Sequence, residues 1–278
     1  MRYLIVCLAA LLTWSCEDFF LQEITDFDNG YQPELSVFAL LQPSDSLVIV
    51  DVRRTISATG GDNNDEDFRN VIRGASVTVS DGTTTVALAY RRFPIEGYLA
   101  RTDTLPAGFI RPGGVYRISA AYEELVAGGT IVIPTDSVAR ADVSFAVEEL
   151  QSGGFTEVLL TVEIPNAPGE EDYYVLIAER SSPPGFSRRT RELHDFLRGR
   201  TSLGERLVFE PVSLREFNRT SVQLCVTDAA TYTFLANRET AFSNAENPFV
   251  EPVLIASNVE NGVGHLGGLN CQVFVFDR

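Results

Sequence analysis

Three observations predict an all-β chain made of two β-sandwich domains, the second with one short helix. Apolar and polar residues alternate at period two in short runs, Gly, Pro, Asn and Asp separate those runs, and a single stretch carries helical spacing. In the first half, strands are expected at residues 35–41 and 47–53, and then a hairpin over 74–90. Ala75, Val77 and Val79 point one way there, while Ser76, Thr78 and Ser80 point the other. Asp81-Gly82 supplies the tight turn with positive φ, and Val86 and Leu88 resume the apolar face on the return strand. Strands at 97–104, 116–122 and 129–133 complete an N-terminal sandwich, residues 33–136, of immunoglobulin- or transthyretin-like type. The polar, proline-containing bridge at 134–141 marks a boundary. Alternation resumes at 143–147, 158–164, 173–178, 207–209, 222–226 and 271–276, within a C-terminal β-rich domain over 141–278. The helix is expected from Asp228, as N-cap, to Ala241, with Tyr232, Leu235 and Ala236 on one face. Residues 181–204, rich in Arg, Ser, Gly and Pro, read as a long loop, either functional or loosely ordered.

Composition narrows the function. The chain has 278 residues, 45% of them hydrophobic and 22% charged, enough to bury a core without staples. All 22 basic residues are Arg, and the formal charge is -16. An acidic chain without lysine argues against nucleic acid as a partner, because binding there draws on clustered cations. It also excludes lysine-dependent chemistry such as Schiff bases and Walker-type phosphate loops.

The N-terminus is the most informative segment. Met1 and Arg2 are followed by an apolar run to Thr13, then Trp14, Ser15 and Cys16. The run is too short to span a bilayer and has the length of a secretory signal. Ser15-Cys16 at its end resembles a bacterial lipobox, with Thr13 standing where Leu is usual. Residues 1–15 are then a signal peptide, residues 16–32 an acidic tether, and Cys16 the site of acylation by palmitate or a similar chain. Glu17 and Asp18 resemble the surface-export signal of Bacteroidota lipoproteins. These features imply an outer-membrane, lipid-anchored protein, at the cell surface rather than on the periplasmic face. Loss of Arg2 moves the mature charge to about -17, and an anionic surface that repels anionic membrane needs a covalent lipid to remain there.

Other motifs carry less. Gly262, Gly264 and Gly267 spell G-x-G-x-x-G, but too little chain follows for a βαβ unit, and the string reads as a glycine-rich turn between strands. The acidic run 62–67 lacks the glycine and the final Glu of a calcium-binding loop and reads as a solvated loop. His194 and His265 have no partners at zinc-ligand spacing, and no Gly-x-Ser-x-Gly elbow is present. No cofactor and no metal site is expected. Once Cys7 leaves with the signal and Cys16 is acylated, Cys225 and Cys271 remain, either as a disulfide or as two buried thiols. The triplets Asp45-Ser46-Leu47, Asp103-Thr104-Leu105 and Asp136-Ser137-Val138 resemble an O-glycosylation acceptor pattern of exported Bacteroidota proteins, making Ser46, Thr104 and Ser137 candidates.

Several of these pieces together resemble one group, Bacteroidota lipoproteins carrying domain of unknown function 4249. They are the lipobox, Pro33 to Val37, Gly74 to Gly82, Ile133-Pro134, Asp172-Tyr173-Tyr174, Asn247-Pro248-Phe249 with Glu251-Pro252, and Ser257-Asn258-Val259 running into the glycine string. The resemblance implies two β-domains on a lipid tether beside TonB-dependent outer-membrane receptors, and it supplies no catalytic residues. The expected function is a non-enzymatic binding or accessory module for a TonB-dependent transporter or another outer-membrane complex, engaged through loops or an exposed strand edge. The alternative is capture of a small ligand or glycan on aromatics such as Tyr173, Tyr174 or Phe186. A hydrolase is the remote third.

Overall fold

The computed structural model describes residues 32–55, 70–92, 96–152, 155–166, 172–181, 189–198, 206–213, 219–244 and 253–277. The chain divides into two units. One comprises Met1–Pro33 and Ile56–Glu66, of which only residues 32 and 33 are described. The other, Glu34–Thr55 with Asp67–Arg278, holds every element that follows.

The alternation seen in the sequence becomes strand almost residue for residue. β1 (Leu35–Leu41) buries every second residue, and β2 (Leu47–Arg54) does the same through Val48, Val50 and Val52. β3 (Ser76–Ser80) and β4 (Thr85–Arg91) form the expected hairpin, with Gly82 at φ 88°. The Asp81 carboxylate accepts from the backbone N–H groups of Thr83 and Thr84 at 2.9 and 2.7 Å. Those bonds, the one from Thr84 most, together with the Thr83 hydroxyl, hold its pKa below the usual carboxylate range. β5 (Gly97–Arg101) stops three residues earlier than the pattern predicts. The Thr104 hydroxyl donates to the Arg101 carbonyl at 2.8 Å, and a single 3-10 turn, Thr102–Thr104, takes the backbone out of the sheet. β6 (Val115–Tyr122) and β7 (Leu125–Val132) follow, β7 starting earlier than expected because Glu123, at φ 54°, turns the chain at once.

Beyond residue 141 come β8 (Ser144–Ser152), β9 (Phe155–Pro165), β10 (Tyr173–Ser181), β11 (Arg189–Arg198), β12 (Arg206–Val208), β13 (Val212–Ser213) and β14 (Arg219–Thr227). Helix α1 (Ala229–Asn244) is next, and β15 (Gly262–Gly268) and β16 (Asn270–Asp277) complete the order. The fold is all-β with one helix among the described residues. Asp228 caps α1, its Oδ1 accepting from the Thr231 N–H at 2.8 Å. The buried face is Thr231, Phe234 and Leu235, so of the expected trio Leu235 alone is fully buried.

Two sequence expectations are corrected here. The stretch 181–204 is not all loop, since β11 lies within it and pairs antiparallel with β10. Its register shifts between Leu176 and Ile177, leaving His194 as the extra residue of a bulge. The glycine string is not a turn either: it is β15, which pairs parallel with β1 from Leu35↔Gly262 to Leu41↔Gly268.

That pairing carries the C-terminal half back into the first sheet, whose strand order is β15-β1-β2-β5-β4-β3-β6-β7. At its ends, Gly128 of β7 exchanges backbone bonds with Glu260, just before β15, at 3.2 and 2.7 Å. The sheet thus wraps a single core formed by Leu35, Val37, Val50, Val79, Tyr98, Tyr116, Ile118, Ile131 and Leu266. At two positions of the seam only glycine fits. A Cβ on Gly268 would collide with the Val132 carbonyl, and one on Gly264, at φ 124°, with that of Val37.

The remaining strands form two four-stranded sheets, β11-β10-β14-β16 and β8-β9 with β12 and β13. They enclose a second core of Leu160, Val162, Ile164, Leu176, Phe209, Val222 and Leu224. The bridge after Pro134 lies between the two cores along the chain, although β15, from beyond the 136/141 division, belongs to the first sheet. It is clasped rather than loose: the Asn270 side-chain amide lies 3.0–3.1 Å from the carbonyls of Pro134, Thr135 and Asp136.

Candidate functional site

A concavity in the first sheet arises from a failure of pairing. β4 is registered with β3 from Thr85 to Leu88, but with β5 only over Ala89↔Leu99, Tyr90↔Tyr98 and Arg91↔Gly97. β5 stays with β2 as far as Leu47↔Arg101 and then ends at the 3-10 turn. The two strands therefore part beyond Ala89 and leave a wedge of about 630 Å³. Leu47, Val86, Leu99, Ala100 and Leu105 line it, with the small Ala87 and Ala89 on the β4 side. Val86, Ala100 and Leu105 also pack on the first core, so the wedge reaches the margin of that core. Backbone N–H and C=O groups of strands alternate in direction, so the stretches of β4 and β5 that lose each other turn unpaired groups toward the opening.

Two guanidinium groups flank this apolar wall. Arg101 is engaged by Asp103 through two contacts of 3.0 and 2.6 Å, which raise the acidity of the carboxyl and lower that of the guanidinium. Arg91 is paired with no carboxylate among the described residues. Ser46 and Thr104, reached from separate triplets in the sequence, lie on the same rim, where the Thr102 N–H donates to the Ser46 carbonyl at 3.0 Å. Both are exposed.

Ser137, also exposed, borders a smaller pocket of about 230 Å³ with Asp136, Asp142, Asp172 and Tyr174. The Tyr174 phenol is buried and donates to Asp172 at 3.1 Å. Burial first, and the neighbouring carboxylate second, push its pKa well above the ordinary phenol value. Tyr173 packs its ring on Tyr232 at 5.2 Å. Neither of these rings stands free as a stacking platform, and Phe186 lies outside the described residues.

His265 sits in β15, 1% exposed, with its ring stacked on Phe234 at 4.2 Å. Its Nε2 lies 3.1 Å from the Thr231 hydroxyl, which gives its proton to Asp228 Oδ2 at 3.1 Å. The hydroxyl has one proton to give, so Nε2–H must donate and the ring is the neutral Nε2–H tautomer. Burial pushes the imidazole down to about 4, and Asp228 opposes that only in part. The Asp228–Thr231–His265 chain ties α1 to the glycine strand. Beneath the same helix, Cys225 and Cys271, facing each other across β14 and β16, are joined as a disulfide.

Cys16, Glu17, Asp18 and the acidic run 62–67 lie outside the described residues. Among those described, no three His, Cys, Asp or Glu side chains gather as a metal site, and no helix is long and apolar enough to cross a membrane. Sequence reasoning missed the wedge because it depends on where a pairing register stops. The convergence of two Asp-hydroxyl-Leu triplets at the ends of neighbouring strands was the one available signal.

Comparison with known proteins finds one family model, described as Domain of unknown function (DUF4249), matching residues 20–272. No curated protein matches the chain.

Proposed function

Because the chain belongs to the family of domain of unknown function 4249, whose description names no activity, we propose from its own residues that it is a non-enzymatic binding module. In this reading it is a lipoprotein of the Bacteroidota outer membrane, anchored through Cys16, that docks a TonB-dependent transporter or another outer-membrane complex. The observation that carries the reading is the wedge between β4 and β5, where two facing strand edges border an apolar wall. Tyr173, packed on Tyr232, and the buried Tyr174 lend no support to glycan stacking. The wedge volume does fall in the range of small-molecule sites, which keeps ligand capture as the second reading.

Two experiments test the proposal. Cys16→Ser should move the protein from the membrane fraction to the soluble one; retention in the membrane would sink the anchor. Extraction of native membranes in mild detergent should bring the chain out with a partner at fixed stoichiometry. Elution as a free monomer would remove the module reading.

A further inference from the structure

We propose that the β4/β5 wedge receives an extended segment of a partner polypeptide as an added strand, with an apolar side chain buried in the wedge and a carboxylate set against Arg91. The inference rests on the module reading above and specifies what the module recognises.

Three features point to this occupant. The first is backbone. Thr85–Leu88 of β4 is bonded to β3 alone, and β5 beyond Leu99 is bonded to β2 alone, so an inserted strand meets an open edge. Unpaired edge groups are satisfied by a backbone running alongside, which a compact small molecule cannot supply. The second is shape. Ala87 and Ala89 leave the β4 side low, while Val86, Ala100 and Leu105 open toward the core margin, where one apolar side chain gains burial. The third is charge. In a chain of net charge -16, the wall carries two guanidinium groups, of which Asp103 occupies Arg101 and no described carboxylate occupies Arg91. Side chains on one face of a strand recur every second residue, so the recognised segment has an apolar residue and, two positions away, Asp or Glu.

The test uses the folded chain with its signal peptide removed and a displayed library of peptides about ten residues long. Selected peptides should share the apolar-x-acidic pattern, and methylating alternate backbone amides should weaken them about tenfold or more by removing strand hydrogen bonds. Ala87→Phe fills the wedge from an exposed position and should abolish selection with an unchanged circular dichroism spectrum. Arg91→Gln should cost about tenfold for acidic peptides and little for their amide analogues. Peptides that survive amide methylation, or are selected equally well by Ala87→Phe, overturn strand addition. So does a ten-carbon saturated carboxylate that binds the wild type and not Ala87→Phe while no peptide is selected. A membrane partner that co-purifies equally with Ala87→Phe overturns this inference and leaves the module reading intact. Absence of any partner with the wild type removes the module reading itself.

Discussion

At the scale of single residues, three buried polar side chains are each committed to named partners. The Tyr98 hydroxyl, on a side chain only 2% exposed, donates to the Ile72 carbonyl at 2.9 Å and accepts from the Ala75 N–H at 2.6 Å. Tyr98→Phe keeps the ring and strands both backbone groups, so urea denaturation should show a loss of about 1–3 kcal/mol. Tyr116 plays the same part for Phe109 and Arg111. His265 gives a pH signature. Its pKa falls from 6.5 in the unfolded chain to about 4 in the folded one, so between those values the unfolded state binds more protons. Stability from this group is whole above pH 6.5 and drains away as the pH falls toward 4, by about 3 kcal/mol at most. Denaturation midpoints at pH 7 and pH 4 should differ accordingly, and His265→Asn should shrink the difference.

Elements depend on where a local signal agrees with its surroundings. The β3–β4 hairpin and α1 were both legible, because Asp81-Gly82 and Asp228 are local devices that act within a few residues. Asp228→Ala should cost about 1 kcal/mol through the cap alone, and more if the Thr231–His265 link loosens. β15 was not legible. Its glycines suggest a turn until β1 and β7 are seen pressing on either side of it. Gly264→Ala adds a methyl group at φ 124° against the Val37 carbonyl and should cost about 3 kcal/mol or more. Gly82→Ala, at φ 88° with open space around it, should cost about 1 kcal/mol. Comparing the two midpoints checks that packing, and not turn geometry alone, selects glycine in β15.

Across the whole molecule, the C-terminal segment acts as a fastener. β15 completes the first sheet and β16 is an edge strand of the second, so neither core is finished until the last residues of the chain are placed. The Cys225–Cys271 disulfide closes a loop of sequence separation 46 and fixes β16 to β14. Removing it through the double substitution Cys225→Ala with Cys271→Ala should lower stability by about 2–4 kcal/mol, with spectra of the folded state preserved. A loss well below that would mean the strand pairing alone suffices. Folding should also be slow for the chain length, because the β1–β15 pairing joins residues more than 200 positions apart.

The sequence by itself determined the class of fold, most strand positions, the hairpin turn and the helix cap, because side-chain periodicity and capping act over a few residues. It also marked Cys225 and Cys271 as the pair to watch, and left open whether they join. Tertiary structure alone decided that they do, since a disulfide requires two strands in register. Tertiary structure likewise turned a nucleotide-like glycine string into a strand, found a strand inside an apparent loop, and opened a wedge between β4 and β5. Each of these outcomes is set by which backbone lies alongside which, and a single chain read along its length carries no local mark of its distant neighbours.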